Sequence, residues 1–319
     1  MGMIDCTEAA SLLLKNDNYI LVTHKNPDGD TLCSAAALCL ALQRAGKTAF
    51  LFPNPDVTEK FRPFVTGCFA PEGYVPEHIV SVDVAAGDMF CRNFNADSPI
   101  WMVIDHHPTN SGFAQYNCVE PGRSACGEIV TEIIENLPGS ITKEEADRLY
   151  IALSTDTGCF MYANTNAGTF QTASRLAEYG ASMYDLNAIF FRKVSNARLA
   201  LEGMILSGME YFRDGSVLVS TITRDMMHQS GATENDTDDL AAIPGRSITE
   251  KLGVTIREIE EGACKVSLRS VPEINSAEIC KKFGGGGHLM AAGCTIHAKP
   301  EEAKKQILEA IDEWLSLNR

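Results

Sequence analysis

Positive charge is scarce in this 319-residue chain, which carries 27 Lys and Arg against 42 Asp and Glu for a formal net charge of -15. Long nucleic acids are held by basic surfaces that release counterions, and a chain this acidic is poorly suited to grip them. No apolar run approaches the roughly 20 residues that a membrane-spanning helix needs, which argues against a membrane partner. The opening residues Met1-Gly2-Met3-Ile4-Asp5-Cys6 lack the basic segment and apolar core of a signal peptide. The eleven cysteines include no CxxC pair and follow no regular spacing. That pattern favours reduced thiols in the cytoplasm over a disulfide framework or a zinc site. There is no internal repeat and no low-complexity linker.

What is present points to a small anionic ligand. An acidic protein binds such a ligand where metal ions and a few Arg, Lys and His side chains reverse the local sign. The length accommodates two domains with proper cores. The first half alternates strand and helix signals, as in a doubly wound, mainly parallel α/β sheet. Tyr19-Ile20-Leu21-Val22, Thr48 to Phe52, His78 to Asp83 and Ile100 to Asp105 read as strands, and Leu32, Ala35, Ala36, Cys39 and Leu42 fall at helical spacing. Residues 123–180 read as mainly helical. These signals predict a catalytic domain over 1–187, a helical connector over 188–210 and a smaller α/β domain with a mixed sheet over 211–319. The active site is expected in a cleft between the two domains. In the second domain Val217 to Ser220 and Cys264 to Ser270 are strand candidates, and Glu301 to Leu317 is an amphipathic helix. The acidic stretch Asn235 to Asp239 reads as a solvated loop or helix cap.

Five short motifs carry the chemistry. Four follow runs that read as strands: His24-Lys25-Asn26-Pro27-Asp28-Gly29-Asp30, Ser81-Val82-Asp83, Ile104-Asp105-His106-His107 and Leu153-Ser154-Thr155-Asp156. In open α/β sheets, ligands bind beyond the carboxyl ends of strands. Carboxylate and imidazole ligands converging there suit a pair of divalent ions, a recurrent device for phosphate ester hydrolysis. Each motif also has a plainer explanation. Asp30 could cap a helix starting at Thr31, Asp83 and Asp156 could be N-caps, and one of the paired imidazoles could be a buried, hydrogen-bonded side chain. The fifth motif, Gly284-Gly285-Gly286-Gly287-His288, can expose successive backbone N–H groups to an anion as a nest, or serve as a hinge. On the strand before it, Lys265, Ser267 and Arg269 alternate onto one face and Val266 and Leu268 onto the other.

The order HxNPDGD, isolated Asp, DHH, STDTG and GGGGHxxAAG resembles the DHH phosphoesterase family, in its RecJ-like branch with a DHH-associated C-terminal domain. The match covers nearly the whole chain and is most similar to the nano-RNases that also act as pAp phosphatases. One departure is Cys33, where a Gly often precedes Ser34. The resemblance implies two bound divalent ions, Mn²⁺ in first place and Mg²⁺ in second, because mixed His and carboxylate ligation suits Mn²⁺ better. It implies that one ion takes His24, Asp28 and Asp83 and the other Asp30, Asp83, His106 and Asp156. Asp105 would orient a neighbouring imidazole and His107 would meet phosphate. Arg269 and His288, with Ser267, Gly285, Gly286 and Gly287, would bind substrate, as would Arg123 and Ser124 at the start of a helix.

The expected activity is hydrolysis of short RNA or DNA oligonucleotides to nucleoside 5′-monophosphates, together with removal of the 3′-phosphate from pAp. A homodimer is compatible with this. Cyclic dinucleotide phosphodiesterase activity is the alternative. A manganese inorganic pyrophosphatase also shares HKNPDxD, but its basic C-terminal motif is missing. A non-catalytic nucleotide sensor would be expected to have lost ligands, and none is lost.

Overall fold

A computed structural model describes residues 2–237 and 239–318. It divides into two compact units, Met1–Lys193 and Val194–Arg319. In the first unit the elements are β1 (Gly2–Met3), α1 (Cys6–Lys15), β2 (Tyr19–Val22), α2 (Gly29–Arg44), β3 (Ala49–Leu51), α3 (Arg62–Val65), β4 (His78–Val82), β5 (Met102–Asp105), β6 (Tyr116–Val119), α4 (Cys126–Glu135), α5 (Lys143–Asp156), α6 (Ala167–Glu178) and α7 (Met183–Asn187). A wide helical turn, Ala188–Arg192, follows.

The sheet of this unit is parallel throughout, in the order β1-β6-β5-β4-β2-β3. The short runs YILV and MVID are buried at every position because helices cover both faces. The chain leaves β2 for β3 on one side and returns to β4 on the other. The carboxyl ends of β2 and β4 therefore flank the topological switch point, the place where such sheets bind ligands. Helix α2 is buried around nearly its whole circumference. Its run of Ala and Cys lets α4 and α5 approach closely. A Cβ placed on Gly29 would lie 2.3 Å from Thr155 Oγ1, and one on Gly127 would lie 2.8 Å from the Ala152 Cβ. These glycines mark where α2 and α4 meet α5, and both contacts sit beside the acidic motifs.

In the second unit the elements are α8 (Asn196–Ser207), β7 (Glu210–Phe212), β8 (Val217–Ile222), α9 (Arg224–Ser230), β9 (Leu252–Glu260), β10 (Ala263–Ser270), α10 (Ser276–Lys281), β11 (Gly286–His288), β12 (Ala291–Ile296) and α11 (Pro300–Leu317). The sheet order is β11-β12-β10-β9-β8-β7, with β8 and β9 parallel and the remaining pairs antiparallel. One face packs Val254, Ile256, Val266 and Leu268 against Ile279, Ile307 and Ile311 of α10 and α11. The acidic stretch near Asn235 contains a single helical turn, Glu234–Asp236, in which Asp236 accepts from the Thr233 backbone N–H. Asp238 lies outside the described residues. No helix among the described residues is long and apolar enough to cross a membrane.

Two sequence expectations need correction. Leu153 to Asp156 is not a strand end, because it forms the last turn of α5. The helical reading of 123–180 holds here, and because Leu149–Leu153 are buried on all sides their apolar run also resembles a buried strand. The plainer alternative for Asp30, a helix cap, is also set aside, because Asp30 lies within the first turn of α2. Asp28 is the N-cap of α2, accepting from Asp30 N and Thr31 N at 3.0 and 3.2 Å.

Candidate metal centre

Six side chains from five places in the first unit point their polar atoms at one another. His24 and Asp83 follow β2 and β4, and His106 follows β5. Asp28 and Asp30 open α2, and Asp156 closes α5. His24 Nε2 lies 3.6 Å from Asp28 Oδ1 and 3.7 Å from Asp83 Oδ2. His106 Nε2 lies 3.5 Å from Asp83 Oδ1, 3.6 Å from Asp156 Oδ2 and 3.8 Å from Asp30 Oδ2. These separations exceed hydrogen-bond length. They define two groups, His24/Asp28/Asp83 and Asp30/His106/Asp156, with Asp83 reaching both.

The imidazoles are set up as acceptors. His24 Nδ1 is 2.8 Å from the Lys25 carbonyl and His106 Nδ1 is 3.1 Å from the Arg123 carbonyl. A carbonyl can only accept, so each Nδ1 donates and each Nε2 is left facing the carboxylates, the orientation of metal-ligating histidines. Asp30 is anchored by Cys126 N and Gly127 N at the start of α4, at 2.6 and 2.9 Å, and by Ser34 Oγ at 3.0 Å. Asp83 holds a left-handed backbone, φ 59°, a strained conformation that non-glycine residues adopt mainly where the surroundings enforce it. Its Oδ1 is buried without a hydrogen-bond partner.

The donor set fits divalent cations. Burial first, and then the charges of neighbouring carboxylates, push Asp30 and Asp83 well above the usual carboxylate range. Asp156 is raised by the same burial, against the pull of His106. Three buried or half-buried carboxylates repelling one another, Asp30, Asp83 and Asp156, are costly without positive charge between them. The imidazoles of His24, His106 and His107 offset this only in part, since Asp30, Asp83 and Asp156 remain raised beside them.

Asp105 does a different job. Its Oδ1 accepts from His107 Nδ1 at 2.7 Å and from the backbone N–H of His106 at 2.9 Å, while Oδ2 accepts from Asn110 Nδ2 at 2.7 Å. Burial favours the neutral acid, yet these hydrogen bonds outweigh it and hold the carboxyl below its usual range. The Asp105 hydrogen bond in turn raises His107. Asn110 escapes a sequence reading, since only the fold brings its amide back to Asp105.

Arg123 and Ser124 are engaged within the protein, although Arg123 also borders an open concavity with Gln171, Ser174 and Arg175. Arg123 pairs with Glu120 and Glu132 at 2.7 and 2.6 Å. The Ser124 hydroxyl is buried, donating to Asn164 O at 2.6 Å. They brace the wall behind His106, and the helix they were expected to open begins at Cys126, N-capped by Ala125. The glycine run also differs from a simple nest. Gly284 N and Gly285 N donate to Lys281 O and Cys280 O, closing α10. A Cβ on Gly285 would meet Gly293 O at 2.3 Å, so this glycine permits edge strand β11 to press against β12. Gly286, Gly287 and His288 then pair with Gly293, Ala292 and Ala291, and His288 is exposed. Lys265, Ser267 and Arg269 do share one face of β10, where they line a concavity of about 360 Å³ together with Thr255 and Arg257.

A parallel sheet with acids and histidines gathered at its switch point, followed by a unit with a mixed sheet, is the arrangement of one known group of proteins. The DHH family N-terminal domain matches residues 18–153 and the DHHA1 domain matches residues 214–317. The chain belongs to the DHH family. Among its relatives, the bifunctional oligoribonuclease and PAP phosphatase NrnA of Thermus thermophilus is 31% identical over 312 residues, covering 93% of this chain and 90% of that protein. The cyclic-di-AMP phosphodiesterase PdeA of Listeria monocytogenes is 24% identical over 95% of this chain, but the match spans only 48% of that protein. The fold resembles that of an exopolyphosphatase-related protein from Bacteroides fragilis, with TM-score 0.83 and 24% identity over 98% of this chain and 97% of that one.

Proposed function

We propose that this protein is a metal-dependent phosphoesterase that cleaves very short RNA or DNA oligonucleotides to nucleoside 5′-monophosphates and removes the 3′-phosphate from pAp. The observation that carries this is the pair of ligand groups joined at Asp83. The NrnA relative, matched over nine-tenths of its length, supports the substrate class. Two divalent ions, Mn²⁺ before Mg²⁺, would be held by His24, Asp28 and Asp83 and by Asp30, His106, Asp156 and Asp83. When bound they supply Lewis acidity and neutralise the charge that develops on phosphorus and its oxygens.

The protein's own residues do the rest. Asp105 and Asn110 clamp His107 so that its Nε2 can donate to a phosphate oxygen. The hydrogen bond to Asp105 raises the basicity of His107, which favours its protonated form. Ser267, Arg269, His288, Gly286 and Gly287 are assigned to the remaining phosphate and sugar of the substrate. In a protein of net charge -15, such local positive groups decide where an anion can settle. All eleven thiols are free, which suits the cytoplasm as the place of action.

Cyclic dinucleotide hydrolysis is the second reading, favoured by the match to PdeA. Initial rates on a linear dinucleotide, pAp and a cyclic dinucleotide, with products resolved by anion exchange, separate the two. The linear dinucleotide and pAp are expected to turn over faster. A cyclic dinucleotide that outruns both would reassign the substrate.

A further inference from the structure

Immediately after Asp156 the backbone does something unusual. Gly158, Cys159 and Phe160 are all left-handed in succession, with φ of 55°, 54° and 67°. Non-glycine residues are strained in the left-handed helical region, and such strain persists only where its surroundings over-determine it. Here they do. Thr157 O accepts from Met161 N and Tyr162 N, both at 3.0 Å, and Thr165 N donates to Tyr162 O at 3.1 Å. Asn164 Nδ2 ties the turn back to Asp156 O at 3.1 Å and to Ser124 O at 3.0 Å.

The strained turn sorts three consecutive side chains. Phe160 goes inward and stacks on Phe170, with ring centroids 5.4 Å apart and planes at 21°. Met161 and Tyr162 are driven outward, 78% and 60% exposed. The Tyr162 ring covers Gly158 so closely that a Cβ there would lie 2.4 Å from its Cε1 and Cζ. One part of the ring is therefore supported by backbone while the remainder is open. A single exposed aromatic needs no explanation. This one is rigidly mounted, six residues after a proposed metal ligand and on a segment hydrogen-bonded to that ligand's own carbonyl.

We propose that Tyr162, flanked by Met161, is a stacking platform for one nucleobase of the substrate. The proposal rests on the reading of the metal centre as an oligonucleotide phosphoesterase, and adds the element that binds a base rather than a phosphate. A ring with two side-chain torsions, already held on Gly158, loses little freedom when a base lands on it. Every base has a π-face, so the platform accepts all four, with purines binding most tightly because they overlap the ring most.

The test is steady-state kinetics with Mn²⁺ on a linear dinucleotide and on two analogues carrying an abasic ribose at the 5′ or the 3′ position. Removing a base–aromatic stack should raise KM roughly 5- to 100-fold. Tyr162→Leu should show that rise on the dinucleotide with kcat little changed, Tyr162→Phe should stay near wild type, and Tyr162→Trp should lower KM. On one of the two analogues, the one lacking the stacked base, wild type and Tyr162→Leu should be equal. Manganese content should be the same in all four proteins. Equal losses on the dinucleotide and both analogues, loss of manganese from Tyr162→Leu, or wild-type KM in that variant would each overturn the platform. A wild-type protein inert towards the dinucleotide would overturn the functional reading and the platform together.

Discussion

Gly29 is where the metal centre is most sensitive to a single methyl group. A Cβ there would lie 2.3 Å from Thr155 Oγ1, 2.8 Å from Thr155 Cγ2 and 3.0 Å from Thr155 Cβ. Ordinary van der Waals contact begins near 3.4 Å, so Gly29→Ala requires a separation of about 1 Å between α2 and α5. Thr155 has little room to yield, because its hydroxyl donates to Ile151 O at 2.8 Å and a β-branched side chain keeps a γ atom in every rotamer. Overpacking of this kind costs about 1–3 kcal/mol. The functional cost is larger, because Asp28 and Asp30 ride on the first turn of α2 and Asp156 follows Thr155 directly. A misplacement of about 1 Å in a catalytic constellation lowers turnover roughly 100-fold. Thr155→Ala removes the two nearest atoms, so the Gly29→Ala/Thr155→Ala pair should regain most of both losses. Urea unfolding of the four proteins, with kcat on a dinucleotide at saturating Mn²⁺, completes the cycle. A Gly29→Ala protein as stable and active as wild type, or a double variant no better than the single one, would refute the packing argument.

Stability without metal should depend on pH in an unusual direction. Asp30, Asp83 and Asp156 are raised, as are His24 and His107, so their contribution is present below the unfolded values and lost as pH rises through the folded ones. Asp28 and Asp105 are lowered and work oppositely, but only towards the acid end. The Tm of chelated protein should therefore fall from about pH 5 to pH 7.5 and flatten with Mn²⁺; a metal-free Tm that climbs over this window would contradict the crowding of carboxylates. Arg269→Ala deletes a proposed phosphate contact and no metal ligand, so kcat/KM should drop by about 2–4 kcal/mol of transition-state stabilisation with manganese content unchanged; manganese loss would reassign the residue. Substrate length should matter through charge, since phosphates beyond the positive groups face a protein of net charge -15. kcat/KM should fall beyond roughly five nucleotides, the reach of a pocket-sized site, and added salt should narrow the gap; equal efficiency on a dimer and a 20-mer at low salt would sink the idea.

The ligands that stood out in the sequence are those packed into a few adjacent positions. His24-x-x-x-Asp28-x-Asp30 and Asp105-His106-His107 advertise themselves because a tight turn or a strand end delivers neighbouring residues to one place. Asp83 has no such company, and its strained backbone and unpartnered oxygen are visible only in three dimensions. Asp156 belonged with the others, at the end of a stretch that reads as helical while its last apolar run also reads as a strand, because burial on every side blurs periodicity. The glycines showed little of their roles in the sequence. Gly284 and Gly285 spend their amides on the end of α10, and Gly29 and Gly127 turned out to be contact points between helices. A sequence does not show which neighbour a missing Cβ makes room for. The partners of Arg123 and Ser124 were only partly legible, since Glu120 lies three residues from Arg123 whereas Glu132 and Asn164 are brought in by the fold.

The central claim is that the carboxylate and histidine cluster holds two divalent ions on which hydrolysis depends. It is tested most directly by titrating Mn²⁺ into exhaustively chelated protein while bound metal and dinucleotide turnover are followed in the same samples. The account predicts no turnover in the metal-free protein, uptake of two manganese ions per chain, and activity that follows occupancy of the pair. Turnover that persists without metal, or that is complete while the cluster remains empty, would contradict it.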